Sequence, residues 1–377
     1  MKKSKFFQPP LLELVIMLSV LLLSYIGLAV IAFLAQDPVA GEMSHSAIVF
    51  WLSAFFLVSF GIAVLSVIAG ISGGVIFTPL MMAFTPVDSV LIRGTGLIVA
   101  MFSGLISTGI FMKKGLGHFK MCVTLTMSQG LGALFGAHAA IYAAIAFADT
   151  GEGVIRIILG CILVSVSAYF FVGGKKLEWP NIQKVDTVTK WMRLEHTYYE
   201  ESDKKTHTYK ITRILLGLVL LFGIGFLGGF FGMGAGWALT PVQNLGLGVP
   251  LKAATANSGI ILGMVDCVAV WPYMLAGGII PLFVVPWLSG QVVGGYLGAF
   301  ALVKAKVTII RYILIGIMLF SSFVLITDGF ARLGLMARVP GEISLAVFLV
   351  IMVVDIVVIV RMQKKSQRER EDGQTAT

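Results

Sequence analysis

The sequence predicts an all-α polytopic membrane protein built as two inverted repeats. Each repeat is a glycine-broken helical hairpin plus three transmembrane helices, with one extra helix at each end of the chain. Three observations predict it. The first is composition: 58% of the 377 residues are hydrophobic and only 12% charged, with a mean hydropathy of +0.95. A soluble globular chain carries about 45–50% apolar and about 25% charged residues, so this one lacks the charge to cover a soluble surface. The second is an internal repeat at a shift of 162 positions, which aligns residues 61–142 with 223–304 without a gap. It pairs Gly70 with Gly232, Gly74 with Gly236, Thr78 with Thr240, Pro79 with Pro241, Gln129 with Gln291, Gly132 with Gly294 and Gly136 with Gly298. Generic glycine-rich helices explain coincident glycines, but not Thr-Pro and Gln in register. The third is the clustering of Lys and Arg in short connecting segments, which is the bias of cytoplasmic loops.

Taken in order, residues 1–47 hold an N-terminal transmembrane helix and an outer loop. The apolar run 11–34 is long enough to span about 30 Å of hydrocarbon, whereas a signal-peptide core has about 7–15 residues. It reads as a retained helix. Repeat 1 covers 48–173, with a broken opening segment at 48–86 and spans over 89–112, 120–147 and 153–173. Residues 174–210 form a basic linker, read as a solvated cytoplasmic connection with one amphipathic surface helix. Repeat 2 covers 211–328, opening at 211–248 and continuing with spans over 251–276, 279–303 and 307–328. Residues 329–377 supply a last span, 341–361, and a basic tail.

The opening segments decide the topology. Each is too long for one helix and is interrupted by glycines and then Thr-Pro. If each returns to the side it entered from, all of the 28 Lys and Arg face the cytoplasm except Arg93, Arg156, Arg332 and Arg338. Both termini are then cytoplasmic, in a cell inner membrane, and Asp37, Glu42, Asp149, Glu152, Asp328 and Glu342 lie in outer loops. Counting each opening segment as one crossing would put the basic linker outside. With the hairpin reading, the repeats have odd numbers of crossings and start from opposite faces, as in many secondary transporters.

The chemistry-bearing residues sit at the breaks. Gly70, Ser72, Gly73, Gly74 and Thr78 match Gly232, Gly234, Gly236 and Thr240 of the second half. Non-helical backbone at mid-membrane depth is tolerated where it lines a cavity or is buried in protein. A helix restarting there aims free N–H groups and its positive dipole end into the bilayer centre. Two such ends make an anion site without a charged side chain; the competing reading is that the glycines only allow close packing. Arg93 and Thr95 align with Thr255 and Asn257, followed by Ser258. Arg93 either offers a guanidinium fork to an oxyanion, or it snorkels to the outer interface or pairs with Asp88. Asn257 and Ser258 are uncharged donors that need partners in a bundle. Gln129 and Gln291 either line the path or bond across helices. Asp266, near the centre of its span, is a proton-coupling candidate, or a structural protonated acid.

The five histidines show no metal-ligand spacing and no Ser-His-Asp set, so neither a metal nor an enzymatic activity is expected. No cofactor motif is present, and the absence of a Walker motif argues against built-in ATP hydrolysis. Basic residues are not interleaved with aromatics in a stripe, which argues against nucleic acid. The expected partners are a small anionic substrate and the lipid bilayer, and a homodimer is compatible with the sequence.

The twofold Gly-x-Ser-Gly-Gly and Gly-x-Gly-x-Gly motif followed by Thr-Pro, with Gln-x-x-Gly-x-x-x-Gly downstream in each half, resembles the TauE/SafE sulfite-exporter family. The resemblance covers roughly residues 50–328. It implies a secondary transporter that moves a small anion, sulfite or an organosulfonate foremost, outward by alternating access at a midplane site. The half-sites differ, because Ser72-Gly73 stands opposite Gly234-Ala235. Alternatives are a channel-like or cation pathway on the same scaffold, and a non-transporting membrane assembly protein.

Overall fold

The computed structural model describes residues 45–84, 87–146, 149–173, 185–202 and 204–375, besides Ser19 and Pro180. The span expected over 11–34 lies outside them. Six helices among the described residues are long and apolar enough to cross a membrane. The protein is an all-α polytopic membrane protein. Side chains such as Phe135, Val219, Leu349 and Val353 are exposed on its flanks, an apolar surface suited to lipid.

The first opening segment is α1 (His45–Ala69) and α2 (Gly73–Phe84). It is followed by α3 (Ser89–Lys113), α4 (Phe119–Ala146) and α5 (Asp149–Gly173). The second is α7 (Ile214–Phe231) and α8 (Gly236–Pro241), which runs on into a π-helical turn, Val242–Gly246. After it come α9 (Leu251–Leu275), α10 (Pro281–Lys304), α11 (Val307–Arg332) and α12 (Gly341–Thr375). Between the halves lie a short helix, α6 (Thr187–Trp191), and two strands, β1 (Glu195–Glu200) and β2 (Lys205–Lys210).

Among the described residues of the linker, the strands depart from expectation. They pair antiparallel from Glu195 opposite Lys210 to Glu200 opposite Lys205, where an amphipathic surface helix was predicted. The Thr and Tyr content of both strands suits a pleated, half-buried surface better than a helix. Lys252 of α9 is buried and donates to Glu200, to the Val303 carbonyl at 2.7 Å and to the Ala305 carbonyl at 3.1 Å. Lys114 pairs with Glu201 at 2.7 Å. The hairpin therefore closes one end of the bundle. Asp186 fastens the approach to α7. It caps α6 by accepting from Thr189 and also accepts from the Arg213 N–H; burial alone would raise its carboxyl, and these hydrogen bonds outweigh it and hold it below the usual range.

Helices α3 and α9 form the antiparallel centre. A Cβ on Gly94 would lie 2.3 Å from the Gly278 carbonyl, and one on Gly104 would lie 2.5 Å from the Gly263 nitrogen. Only glycine lets the backbones approach so closely. Around this pair, α4 packs on α7 and α10 on α1 by matching contacts. Gly132 and Gly136 lie against the carbonyls of Phe222 and Phe226, and Gly294 and Gly298 against those of Phe60 and Val64. Every member of the second set stands 162 positions from its counterpart in the first, so the contacts of one half are exchanged in the other.

The two broken segments run in from different ends. The second begins and finishes at the β-hairpin end, where the Thr212 N–H donates to the Leu247 carbonyl at 3.1 Å. The first hands over to Ser89, at the far end of the antiparallel α3–α9 pair.

Candidate substrate site at the crossing of two broken helices

Helix α1 stops when Gly70 turns left-handed (φ 69°), and α7 stops when Gly232 does the same (φ 63°). An L-residue resists this conformation, and glycine does not. There is also no room for a side chain. A Cβ on Gly70 would sit 2.6 Å from the Thr255 Cα, and one on Gly232 would sit 2.4 Å from the Arg93 Cα. Residues 93 and 255 are themselves repeat partners, so each break rests on the equivalent turn of the other half's first full helix.

The breaks then pack on each other. A Cβ on Gly74 would meet the Met233 and Gly96 carbonyls at 2.6 Å, and one on Gly236 would lie 2.1 Å from the Ser72 nitrogen. Thr78 donates to the Gly232 carbonyl at 2.9 Å, and Thr240 donates to the Gly70 carbonyl at 2.8 Å. Ser72 donates to the Met233 carbonyl. These hydroxyls satisfy carbonyls that lose their helical partners at the glycine turns. Through them the two breaks are bonded to each other.

Asp266 completes the crossing. It is 1% exposed, and a Cβ on Gly234 (φ 68°) would fall 2.9 Å from its Oδ2 and 2.8 Å from the Ser72 Oγ. Asp266 Oδ2 has no hydrogen-bond partner among the described residues. A buried acceptor left so is costly unless it is protonated or awaits a ligand. Other orphaned polar atoms belong to the same group of candidates: Thr95 Oγ1, the Asn257 Nδ2, both amide atoms of Gln129 and the Gln291 Oε1. Gln291 Oε1 would lie 2.9 Å from a Cβ on Gly73. Its Nε2 is held by the Ser59 carbonyl and hydroxyl at 3.1 Å.

Not every candidate converges. Arg93 is 3% exposed and reaches the Phe230 carbonyl at 3.4 Å, with its guanidinium 5.9 Å from the Phe230 ring and a hydrogen bond to Tyr273. It neither snorkels nor stands free in a cavity. Asp88 caps α3 instead, accepting from the Val90 N–H at 2.8 Å. Asn257 turns towards the β-hairpin end, where its Oδ1 accepts from the His118 N–H at 2.8 Å and lies 3.3 Å from the Cys122 Sγ. Ser258 bonds Thr240 at 2.8 Å and accepts from Gln243 at 3.0 Å.

Gln243 and Asp355 escaped the sequence reading. Gln243 lies in the π-helical turn, whose register a repeat alignment does not reveal. Asp355 of α12 is a second buried acid in a span, set against Gly316. Its position inside the 341–361 run was the available signal. Among the described residues no group of three His, Cys, Asp or Glu could hold a metal.

The profile of the sulfite exporter TauE/SafE family matches residues 54–325, which takes in both breaks and all the helices that hold them. The chain belongs to the TauE/SafE family. Over 238 residues it is 25% identical to the probable membrane transporter protein YunE of Bacillus subtilis (strain 168), covering 61% of this chain and 81% of that protein. No match to a solved structure reaches significance. The TauE/SafE chain is thus a multi-pass membrane transporter.

Proposed function

We propose that this TauE/SafE protein is a secondary carrier that moves a small oxyanion, sulfite or an organosulfonate, outward across the cytoplasmic membrane, with both termini and the β-hairpin inside. One observation carries the reading: two left-handed glycine breaks, brought in from different ends, are locked to each other by exchanged hydroxyl–carbonyl bonds around the buried Asp266. Exchanged contacts are what inverted repeats would produce, and they supply two equivalent arrangements between which the halves can rock. Loosening Ser72, Thr78 and Thr240 from their carbonyls would free three hydroxyl donors and the N–H groups of the breaks at one depth. The closed packing favours a carrier over a continuous pore.

Energetics support the anion and the direction. Oriented N–H groups and hydroxyls offset the desolvation of an oxyanion without a fixed counter-charge. Arg93, whose backbone packs against Gly232, adds a positive field. An inside-negative potential favours outward movement of an anion by about 2.3 kcal/mol per charge per 100 mV. Asp266 beside Gly234 and Ser72 could exchange a proton as the crossing opens to either side. In proteoliposomes, the wild-type sulfite flux is then expected to respond to an imposed pH gradient, and Asp266→Asn is expected to respond to membrane potential alone. Wild-type flux indifferent to the pH gradient would leave Asp266 a structural residue.

A further inference from the structure

The fold does not treat the two matched glutamines alike. Gln291 of α10 donates its Nε2 to the carbonyl and the hydroxyl of Ser59 in α1, both at 3.1 Å. Gln129 of α4 is 0% exposed, and neither its Nε2 nor its Oε1 has a partner among the described residues. The repeat shift of 162 explains the difference. The counterpart of Ser59 is Leu221, a buried side chain with nothing to offer an amide.

Gln129 stands beside the second break. A Cβ on Gly225 would lie 2.2 Å from the Gln129 carbonyl, and one on Gly228 would lie 2.9 Å from the Ala235 nitrogen. Gly225 and Gly228 are one turn apart on the same face of α7, which brings the Gln129 side chain within reach of Ala235. The other half has the same arrangement. Gln291 Oε1 would lie 2.9 Å from a Cβ on Gly73, and Gly73 is the repeat counterpart of Ala235.

The asymmetry extends beyond the glutamines. Trp237 Nε1, Gln243 Oε1 and Asp266 Oδ2 are also buried without partners among the described residues. Their repeat counterparts are Val75, Met81 and Gly104, which carry no polar side-chain atom. A buried amide that makes neither of its hydrogen bonds is costly, and a methionine would fill nearly the same volume without that cost.

We propose that Gln129 is a substrate-contacting residue of the second half-site, whose amide N–H donates to an oxygen of the transported anion beside Ala235. The assignment deepens the carrier reading above and rests on it. An ordered water would satisfy the same amide, but its loss would then register in stability rather than in affinity for the anion.

Gln129→Met and Gln291→Met in the full chain separate the two roles. The readings are the unfolding midpoint in detergent and the saturable flux of sulfite and of ethanesulfonate in proteoliposomes. Gln129→Met is expected to keep or raise the midpoint and to raise KM for the anion that the wild type carries by about tenfold or more. Its kcat should stay within about a factor of two. Gln291→Met is expected to lower the midpoint, because it breaks both bonds to Ser59. An unchanged KM in Gln129→Met, beside saturable wild-type flux, overturns this assignment alone. A wild type that carries neither anion overturns the carrier reading, and the assignment falls with it. Gln129→Cys provides a second reading. Ethanesulfonate should slow the reaction of the introduced thiol with methyl methanethiosulfonate, while the exposed Cys161 reacts at an unchanged rate. A thiol at position 129 that the anion leaves unprotected would refute the contact.

Discussion

At the scale of single residues, the glycines divide into those that turn the chain and those that make room. Gly232 does both, with positive φ and the Arg93 backbone where its side chain would be. Gly232→Ala is therefore expected to cost more than about 3 kcal/mol, seen as a large drop in the unfolding midpoint in detergent. Gly73 lies at the start of α2, and the nearest neighbours a Cβ there would meet are side chains, the Gln291 amide and Val99. Gly73→Ala is expected to cost about 1 kcal/mol or less and to leave folded protein whose sulfite flux is impaired. Equal midpoints for the two variants would contradict this division. The sequence reveals Gly232 through the repeat and Gly73 only through the glycine cluster around it, but not their different duties, because φ and the opposing backbone are set by the partner half. Arg93 teaches the same lesson. Its sequence neighbour Asp88 suggested an ion pair, while the fold gives it the Phe230 carbonyl and Tyr273.

At the scale of elements, the β-hairpin is the piece that sequence reading passed over. Its strands, Glu-His-Thr-Tyr-Tyr-Glu and Lys-Thr-His-Thr-Tyr-Lys, carry a β signal in their Thr and Tyr content. Six residues of such a pattern in a charged linker are outweighed by the charge itself, and only docking on α9 makes them a structure. The docking surface contains His118, whose ring stacks on His196 at 4.9 Å while the His196 Nε2 donates to the Gly115 carbonyl at 2.8 Å. Burial first, and then the neighbouring His196 and Lys120, push His118 down to about 4. The folded state thus keeps it neutral where the unfolded chain, near 6.5, binds a proton. Between about pH 6.5 and pH 4 the unfolded state holds more protons, so stability falls as pH falls, by up to about 1.4 kcal/mol per pH unit. The protection factors of the β1–β2 amides should fall from pH 6.5 to 4.5, and His118→Phe should abolish that fall. A slope that survives His118→Phe would assign the effect elsewhere.

For the whole molecule, the all-α polytopic membrane class was the most legible feature, through composition and hydropathy, while the repeat rests on Thr, Pro and Gln in register. What it could not display was the exchange of contacts, in which Thr78 serves Gly232 and Thr240 serves Gly70. If these bonds are equivalent, Thr78→Val and Thr240→Val should each lose about 1–2 kcal/mol through an orphaned buried carbonyl. Thr240 also bonds Ser258, so its variant should be the weaker of the two. A pair in which only one substitution matters would mean that one half carries the crossing. The central claim is that this crossing is a single site reached from both sides of the membrane. Reaction of Ser72→Cys with a small impermeant thiosulfonate, applied to one face of oriented proteoliposomes at a time, tests it most directly. The account predicts modification from each face, slowed in both cases by an organosulfonate. Modification from one face alone, or none in a variant that still transports sulfite, would contradict it.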